Sequence, residues 1–193
     1  VNGELAAAIC IEDPLREEAA DMVHQLKAEG ISKVVMMTGD SERTAASIAR
    51  RVGVDEYYAE VLPEDKARFV ENEKASGKKV IMIGDGINDS PALSAADAGI
   101  AISDGAEIAR EIADITIAAD DLRELVTLKR LSNELMKRIH RNYRSIVGIN
   151  SGLIGLGVGG VIRPTTSALL HNTSTIAISL KSMQNLLPET EQI

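Results

Sequence analysis

Asp85, Asn88 and Asp89 stand in the run Gly84-Asp85-Gly86-Ile87-Asn88-Asp89, directly after the apolar stretch Val80–Ile83. Such oxygen donors suit Mg²⁺, which is commonly held by one or two carboxylates and completed by water and phosphate. Two more short motifs come earlier. Thr38-Gly39-Asp40 follows Val34–Met37, and Pro63-Glu64-Asp65-Lys66 follows a strand-like stretch at 57–59. A phosphoryl group in transfer spreads its charge over three oxygens and needs donors and cations around it. Thr38 offers a hydroxyl and Gly39 a backbone N–H, with Asp40 in the same loop. Lys66 offers a fixed positive charge and Asp85 a Mg²⁺ ligand. Asn88 and Asp89 would orient the site and the metal-bound water. Each motif alone is an ordinary turn or a solvated helix start. In this order they point to Mg²⁺-assisted phosphoryl transfer.

Groups of this kind meet when they sit at the carboxyl ends of neighbouring parallel strands, where open α/β sheets bind ligands. The first two-thirds of the chain has the required alternation. Strands are predicted at Leu5–Ile11, Val34–Met37, Tyr57–Ala59, Lys79–Ile83, Gly99–Ile102 and Ile115–Ala118. Helices are predicted from Pro14 to Gly30, Glu42 to Val52, Pro63 to about Gly77, Asn88 to Ala96, and from Ala106. This rhythm implies a mainly parallel sheet with helices on both faces, spanning 1–121.

Past Asp121 the character changes. Residues 1–128 carry 13 Lys/Arg against 26 Asp/Glu, a net of -13, while 129–193 carry 8 against 3, a net of +5. Residues 122–144 read as a basic helix with Lys129, Arg130, Lys137, Arg138, Arg141 and Arg144. Ser145–Ile162 then runs 18 residues without a charge, and Thr165–Leu180 runs 16 more beyond Arg163-Pro164. A bilayer crossing takes about 20 apolar residues, with ~17 as the lower limit. The expectation is a transmembrane hairpin over 145–187 in a bacterial plasma membrane, with residues 1–144 on the cytoplasmic side because of the basic residues before the first span. So many glycines would cost a soluble helix about 1 kcal/mol each. In a membrane, Gly148/Gly152 and Gly155/Gly159 would let helices pack closely.

Several function classes drop out. Gly155, Gly157 and Gly160 match a dinucleotide fingerprint, but no strand precedes them and Lys181 stands near the position of the required acid. The acidic first region and an aromatic content of 2% argue against nucleic acid. Cys10 is the only cysteine, so no disulfide framework is possible within the chain. Nothing at the N-terminus resembles a signal peptide.

The set resembles the haloacid dehalogenase-like phosphotransferases and, within them, the P-type ATPases. The match lies in Thr38-Gly39-Asp40-Ser41-Glu42-Arg43-Thr44-Ala45 and in Gly84-Asp85-Gly86-Ile87-Asn88-Asp89-Ser90-Pro91-Ala92-Leu93. Asp13-Pro14-Leu15-Arg16 looks like the segment that re-enters the phosphorylation domain. The closing Pro164-Thr165-Thr166 and His171-Asn172-Thr173-Ser174-Thr175 look like the last two spans of the heavy-metal-transporting subgroup. The resemblance covers essentially the whole chain. It implies ATP-driven export of a divalent transition-metal cation through an aspartyl phosphate, with Mg²⁺ as cofactor. It also implies that ATP is bound mainly by a domain outside these residues.

The family's Asp-Lys-Thr-Gly-Thr nucleophile motif does not occur here. Asp40 follows the wrong strand to replace it. The chain is therefore expected to be inactive alone and to need the remaining domains of the same pump, besides the lipid bilayer, as partners. Asn150, His171 and Asn172 are the candidate ligands for the transported ion. Polar groups in a membrane span default to function, yet they could equally bond across the helix pair as packing glue. The ion itself stays open, because the Cys-Pro motif that usually decides it is absent. Two other readings compete: a free-standing haloacid dehalogenase-like phosphatase, and a truncated membrane partner of intact pumps.

Overall fold

A computed structural model describes residues 15–85, 88–102, 111–117 and 122–187. The expected strand at Leu5–Ile11 with Cys10, the helix from Ala106, residues Gly86 and Ile87, and the start of the 13–16 segment lie outside the described residues. Two units follow one another along the chain, Val1–Glu124 and Leu125–Ile193.

In the first unit the alternation becomes α1 (Ala19–Ala28), β1 (Val35–Met37), α2 (Glu42–Val52), β2 (Glu56–Tyr58), α3 (Pro63–Ala75), β3 (Ile81–Gly84), α4 (Ser90–Ala95), β4 (Ala98–Ile102) and β5 (Ile115–Ile117). Helix α1 starts at Ala19, later than Pro14, because Leu15–Glu18 form a turn whose Arg16 carbonyl accepts the Ala19 N–H at 3.1 Å. Every strand pairing is parallel, but the described strands form two ladders. β1 pairs with β2, while β3, β4 and β5 pair in that order. Val34 and Thr38 turn their backbone groups toward β2, so alternation turns those of Val35 and Met37 to the opposite edge. Val80 likewise bonds toward β4, so Ile81 and Ile83 present theirs to the other edge. Among the described residues no strand pairs with either of these edges.

The ladders nevertheless meet in one core. Met37 of β1 packs against a cluster of Val70, Met82, Ala92 and Leu93, together with Ala67 of α3. Leu93 and Val70 are 1% exposed. A second cluster, Ala19, Val23 and Val52, lies between α1 and α2. Helix α4 approaches β4 so closely that a Cβ on Gly99 would lie 2.7 Å from the Leu93 carbonyl oxygen. Glycine is what that crossing admits.

Three aspartates tie strand beginnings together. Asp55 accepts the Val34 N–H at 2.7 Å, Asp97 accepts that of Val80 at 3.0 Å, and Asp114 accepts that of Gly99 at 2.8 Å. Each stands before one strand and holds the start of its parallel neighbour. Lys27 beside Asp55, then the Val34 N–H, hold that carboxyl below its usual range. For Asp97 the Val80 N–H comes first and Lys79 second.

The second unit is built on α5 (Arg123–Val158) and α6 (Pro164–Ser182). The basic stretch and the uncharged run are one continuous helix, with no breaker between Arg144 and Ser145. Helix α5 stops at Gly159-Gly160, where Gly160 takes φ +70° and Val161 N–H bonds back to the Leu156 carbonyl at 2.9 Å. Pro164 then opens α6 at a position where its missing N–H costs nothing. Arg138 donates to the backbone carbonyls of Ser182 and Asn185, at 2.9 and 2.8 Å, and to that of Gln184. Asn142 donates to the Ser182 hydroxyl at 2.7 Å. These contacts close the carboxyl end of α6 against α5.

The bilayer-crossing hairpin expected over 145–187 is not supported: no helix among the described residues is long and apolar enough to cross a membrane. The glycine stop leaves only Ser145–Val158 of the uncharged run in helix, about 21 Å at 1.5 Å per residue, against a hydrocarbon core of ~30 Å. Any longer stretch of α5 takes in Arg141 and Arg144. Helix α6 carries His171-Asn172-Thr173-Ser174-Thr175 at its middle. An uncharged stretch is not the same as an apolar one.

Candidate functional site

The site begins with the loops that leave β1 and β3 and with the first turn of α3. Thr38 follows β1 and is held on two sides, its N–H on the Tyr58 carbonyl and its own carbonyl on the Val61 N–H, both at 3.0 Å. Its hydroxyl donates to Asp40 Oδ2 at 2.9 Å and accepts the Asp40 N–H at 3.1 Å. Thr38 and Asp40 therefore close one tight turn, leaving Gly39 exposed at its tip.

Helix α3 brings up the cation. Pro63 opens it, and Asp65 reaches back to the Leu62 N–H at 3.4 Å while also bonding Arg68. Arg68 first, then that N–H, hold the Asp65 carboxyl below its usual range. Lys66 follows on the next position, with Ala67 in the core behind it. Its Nζ lies 2.7 Å from Asp89 Oδ1, and the two side chains are only 16% and 12% exposed. A cation is thus held rigidly against the glycine loop after β3. Asp85 at that loop's start is exposed and accepts the Asn88 N–H at 3.2 Å.

Met37, Ala67 and Met82 share the core described above, so the segments bearing Thr38, Lys66 and Asp85 run out from one packed centre. A side-chain bond, Lys66–Asp89, joins two of those motifs. Thr38 bonds within its own turn. Sequence reasoning did not foresee the close packing at Gly84. A Cβ there would lie 2.6 Å from the Asp89 Cβ and overlap its carboxylate. The signal is a glycine five residues before an aspartate at a strand end, too common to be read without coordinates.

The donors around this loop are oxygens, with one exposed carboxylate at Asp85 and a second, Asp89, committed to Lys66. That set fits Mg²⁺, which needs one or two carboxylates and takes water and phosphate for the rest. Among the described residues no group of three or more His, Cys, Asp or Glu could hold a metal ion unaided.

In the second unit the candidate ion ligands Asn150 and His171 meet across the two helices, with His171 Nδ1 2.7 Å from Asn150 Oδ1. A proton on Nδ1 would donate to that amide oxygen and leave Nε2 as the acceptor. Asn172 is exposed beside them.

The parallel strands with helices between them, and the Lys66–Asp89 pair at the strand ends, define an α/β domain of the haloacid dehalogenase-like type. The family model of haloacid dehalogenase-like hydrolases matches residues 1–97, and the chain belongs to that family. It is 40% identical over 183 residues to a manganese-exporting P-type ATPase of Mycobacterium leprae and equally to a zinc-exporting P-type ATPase of Mycobacterium marinum. Each alignment takes in 94% of this chain and 25% of the relative, so the chain spans about a quarter of the length of these relatives. The crystal structure of a zinc-transporting PIB-type ATPase in an E2.Pi state superposes with a TM-score of 0.83 at 33% identity, over 92% of this chain and 29% of that one. The α/β domain is thus homologous to the corresponding part of heavy-metal P-type ATPases.

Proposed function

We propose that this chain supplies the phosphoryl-transfer pocket of an ATP-driven exporter of a divalent transition-metal ion. The Lys66–Asp89 contact carries the reading: a nearly buried cation, fixed at the mouth of an acidic glycine loop, suits a phosphoryl oxygen. Lys66 would neutralise charge on the transferring group while Asp89 holds the ammonium in place. Thr38 Oγ1 and the Gly39 N–H would donate to the remaining oxygens, with Asp40 setting the hydroxyl's direction. Asp85 would be the Mg²⁺ ligand, with Asn88 and Asp89 ordering the loop behind it. Mg²⁺ would supply charge neutralisation at the phosphoryl oxygens.

The attacking aspartate would come from outside these 193 residues. The edges of β1 and β3 that stay unpaired among the described residues, flanking a shared core, suit a further parallel strand whose end brings that carboxylate between Thr38 and Asp85. ATP would be bound mainly by another domain of the same pump. The helix pair would meet the pump's remaining parts, with His171 Nε2 available to the transported ion and Asn150 orienting the ring. Equal identity to manganese and zinc exporters leaves the ion open.

The test joins this chain to an upstream portion carrying an Asp-Lys-Thr-Gly-Thr strand and measures phosphoenzyme formed from labelled ATP. The chain alone should give no Mg²⁺-dependent turnover, and the joined pump should. Asp85→Asn should then lower phosphorylation at least a hundred-fold, the scale of losing a principal electrostatic contact. Steady hydrolysis by the isolated chain, or unchanged phosphoenzyme in the Asp85 variant, would refute the proposal.

A further inference from the structure

Among the described residues the left-handed backbone positions are glycines that end helices, with one exception. Gly30 follows α1, Gly53 follows α2, Gly77 follows α3 and Gly160 follows α5. The exception is Glu60, at φ +54°. It ends no helix and lies in the link from β2 to α3, beside the Thr38–Asp40 turn. A residue with a Cβ is disfavoured there. Such strain persists only where surrounding contacts over-determine it.

The Glu60 side chain does not supply those contacts: it is exposed, and its carboxylate has no partner among the described residues. The backbone supplies them. The Glu60 N–H donates to the Asp40 carbonyl at 2.9 Å, and the Val61 N–H donates to the Thr38 carbonyl at 3.0 Å. In extended chain, successive N–H groups point to opposite sides. Here two successive ones reach the same turn, and the left-handed φ at Glu60 is what brings them round. With the Thr38 N–H on the Tyr58 carbonyl at 3.0 Å, three backbone bonds clasp residues 38–40. The same link then enters α3, where the Leu62 carbonyl accepts the N–H groups of Asp65 and Lys66 at 3.0 and 3.2 Å. One short piece of chain therefore grips the Thr38–Asp40 turn and starts the helix that carries Lys66.

We propose that Glu60 is a positioning residue for phosphoryl transfer, whose left-handed backbone sets the Thr38–Asp40 turn in register with Lys66. The inference rests on the phosphoryl-transfer reading above. It makes the backbone conformation matter and the carboxylate not. Glycine and asparagine adopt that conformation readily, whereas a β-branched residue is driven toward extended chain. Extended chain at residue 60 would swing one of the two N–H groups off the turn and let Thr38 shift relative to Lys66.

Glu60→Gly, Glu60→Asn, Glu60→Gln and Glu60→Val test it, with denaturant unfolding checking that each variant is folded. In the full chain, amide exchange at residues 60 and 61 should stay near wild type in the first three. It should quicken about ten-fold in Glu60→Val, the scale of one backbone hydrogen bond. In the pump joined to its upstream portion, Glu60→Val should slow phosphoenzyme formation roughly ten- to a hundred-fold, as a small misplacement does. The KM for ATP should change little, and Glu60→Gly should keep the wild-type rate. Equal losses in Glu60→Gln and Glu60→Gly would overturn the proposal, because the carboxylate itself would then be at work. These two variants decide the matter even if the valine variant fails to fold. Unchanged exchange and rate in a folded Glu60→Val would overturn it too. Asp85→Asn in the same pump separates the two readings. If it blocks phosphorylation while Glu60→Val does not, the positioning role falls and the site stands; if neither variant has an effect, the site reading falls and this role with it.

Discussion

The two units solve the problem of helix and strand packing in opposite ways. In the first, short elements are stitched by long-range bonds: Asp55, Asp97 and Asp114 each hold a neighbouring strand, and Met37, Val70, Met82 and Leu93 join both ladders. In the second, two long helices bury little. Leu125, Val126 and Leu153 of α5 and Leu187 are buried, while Leu169, Ile176 and Leu180 of α6 are 60% or more exposed. Precise placement of charged groups at a site needs a rigid scaffold, and Lys66 and Asp89 have one. The helix pair instead leaves much of its apolar surface exposed among the described residues.

The sharpest way to break this contrast is a cavity at the centre of the first unit. Leu93→Ala should lower its stability by about 2–5 kcal/mol, measured by denaturant unfolding, and should loosen Lys66 and Asp89 with it. Amide exchange in α5 should change little. If both units lost protection equally, they would unfold as one and the contrast would fail.

Arg138→Ala makes the reciprocal test. It leaves three backbone carbonyls without their charged donor and should cost the helix pair about 1–3 kcal/mol, the scale of bonds to a charged group. Faster exchange near the end of α6, with α1 to α4 unaffected, would sharpen the comparison. Undiminished protection there would show that the arginine closes nothing.

Acid gives the smallest and most selective effect. The folded-state carboxyls of Asp55 and Asp97 lie below their usual range, so their contribution is present above about pH 4 and disappears as pH falls through the lowered folded values. The Val34 and Val80 amides should lose exchange protection there, ahead of the α5 amides. In the second unit Glu134 is the only carboxylate side chain among the described residues. Simultaneous loss in both units would refute the role given to these aspartates.

How far the sequence could be read follows from the range of the forces involved. The strand-helix rhythm from α1 to β5 is local, carried by periodicity, prolines and glycines, and boundaries shift by only a few residues, as at Ala19 against Pro14. The loops at residues 38–40, 63–66 and 84–89 were legible because glycine, carboxylate and lysine at strand ends have few purely local reasons to recur in that order. The Lys66–Asp89 bond was not legible, since 23 residues separate its partners. Nor was the role of Gly84, which depends on where the Asp89 carboxylate settles. The expectation of two membrane spans is not supported, because a run without charges measures neither helix length nor mean apolarity, and the glycine stop after Val158 falls inside it.

Amino-acid order by itself determined the element types, the acidic-to-basic change near residue 129 and the identity of the groups proposed to bind phosphate and Mg²⁺, since these depend on side-chain chemistry and nearest neighbours. Tertiary structure decided which carboxylate holds the lysine and, among the described residues, which strand edges stay unpaired and how much apolar helix is exposed. Those outcomes depend on packing between residues far apart in the chain, where one close contact or one helix stop selects among arrangements that local propensity leaves equal.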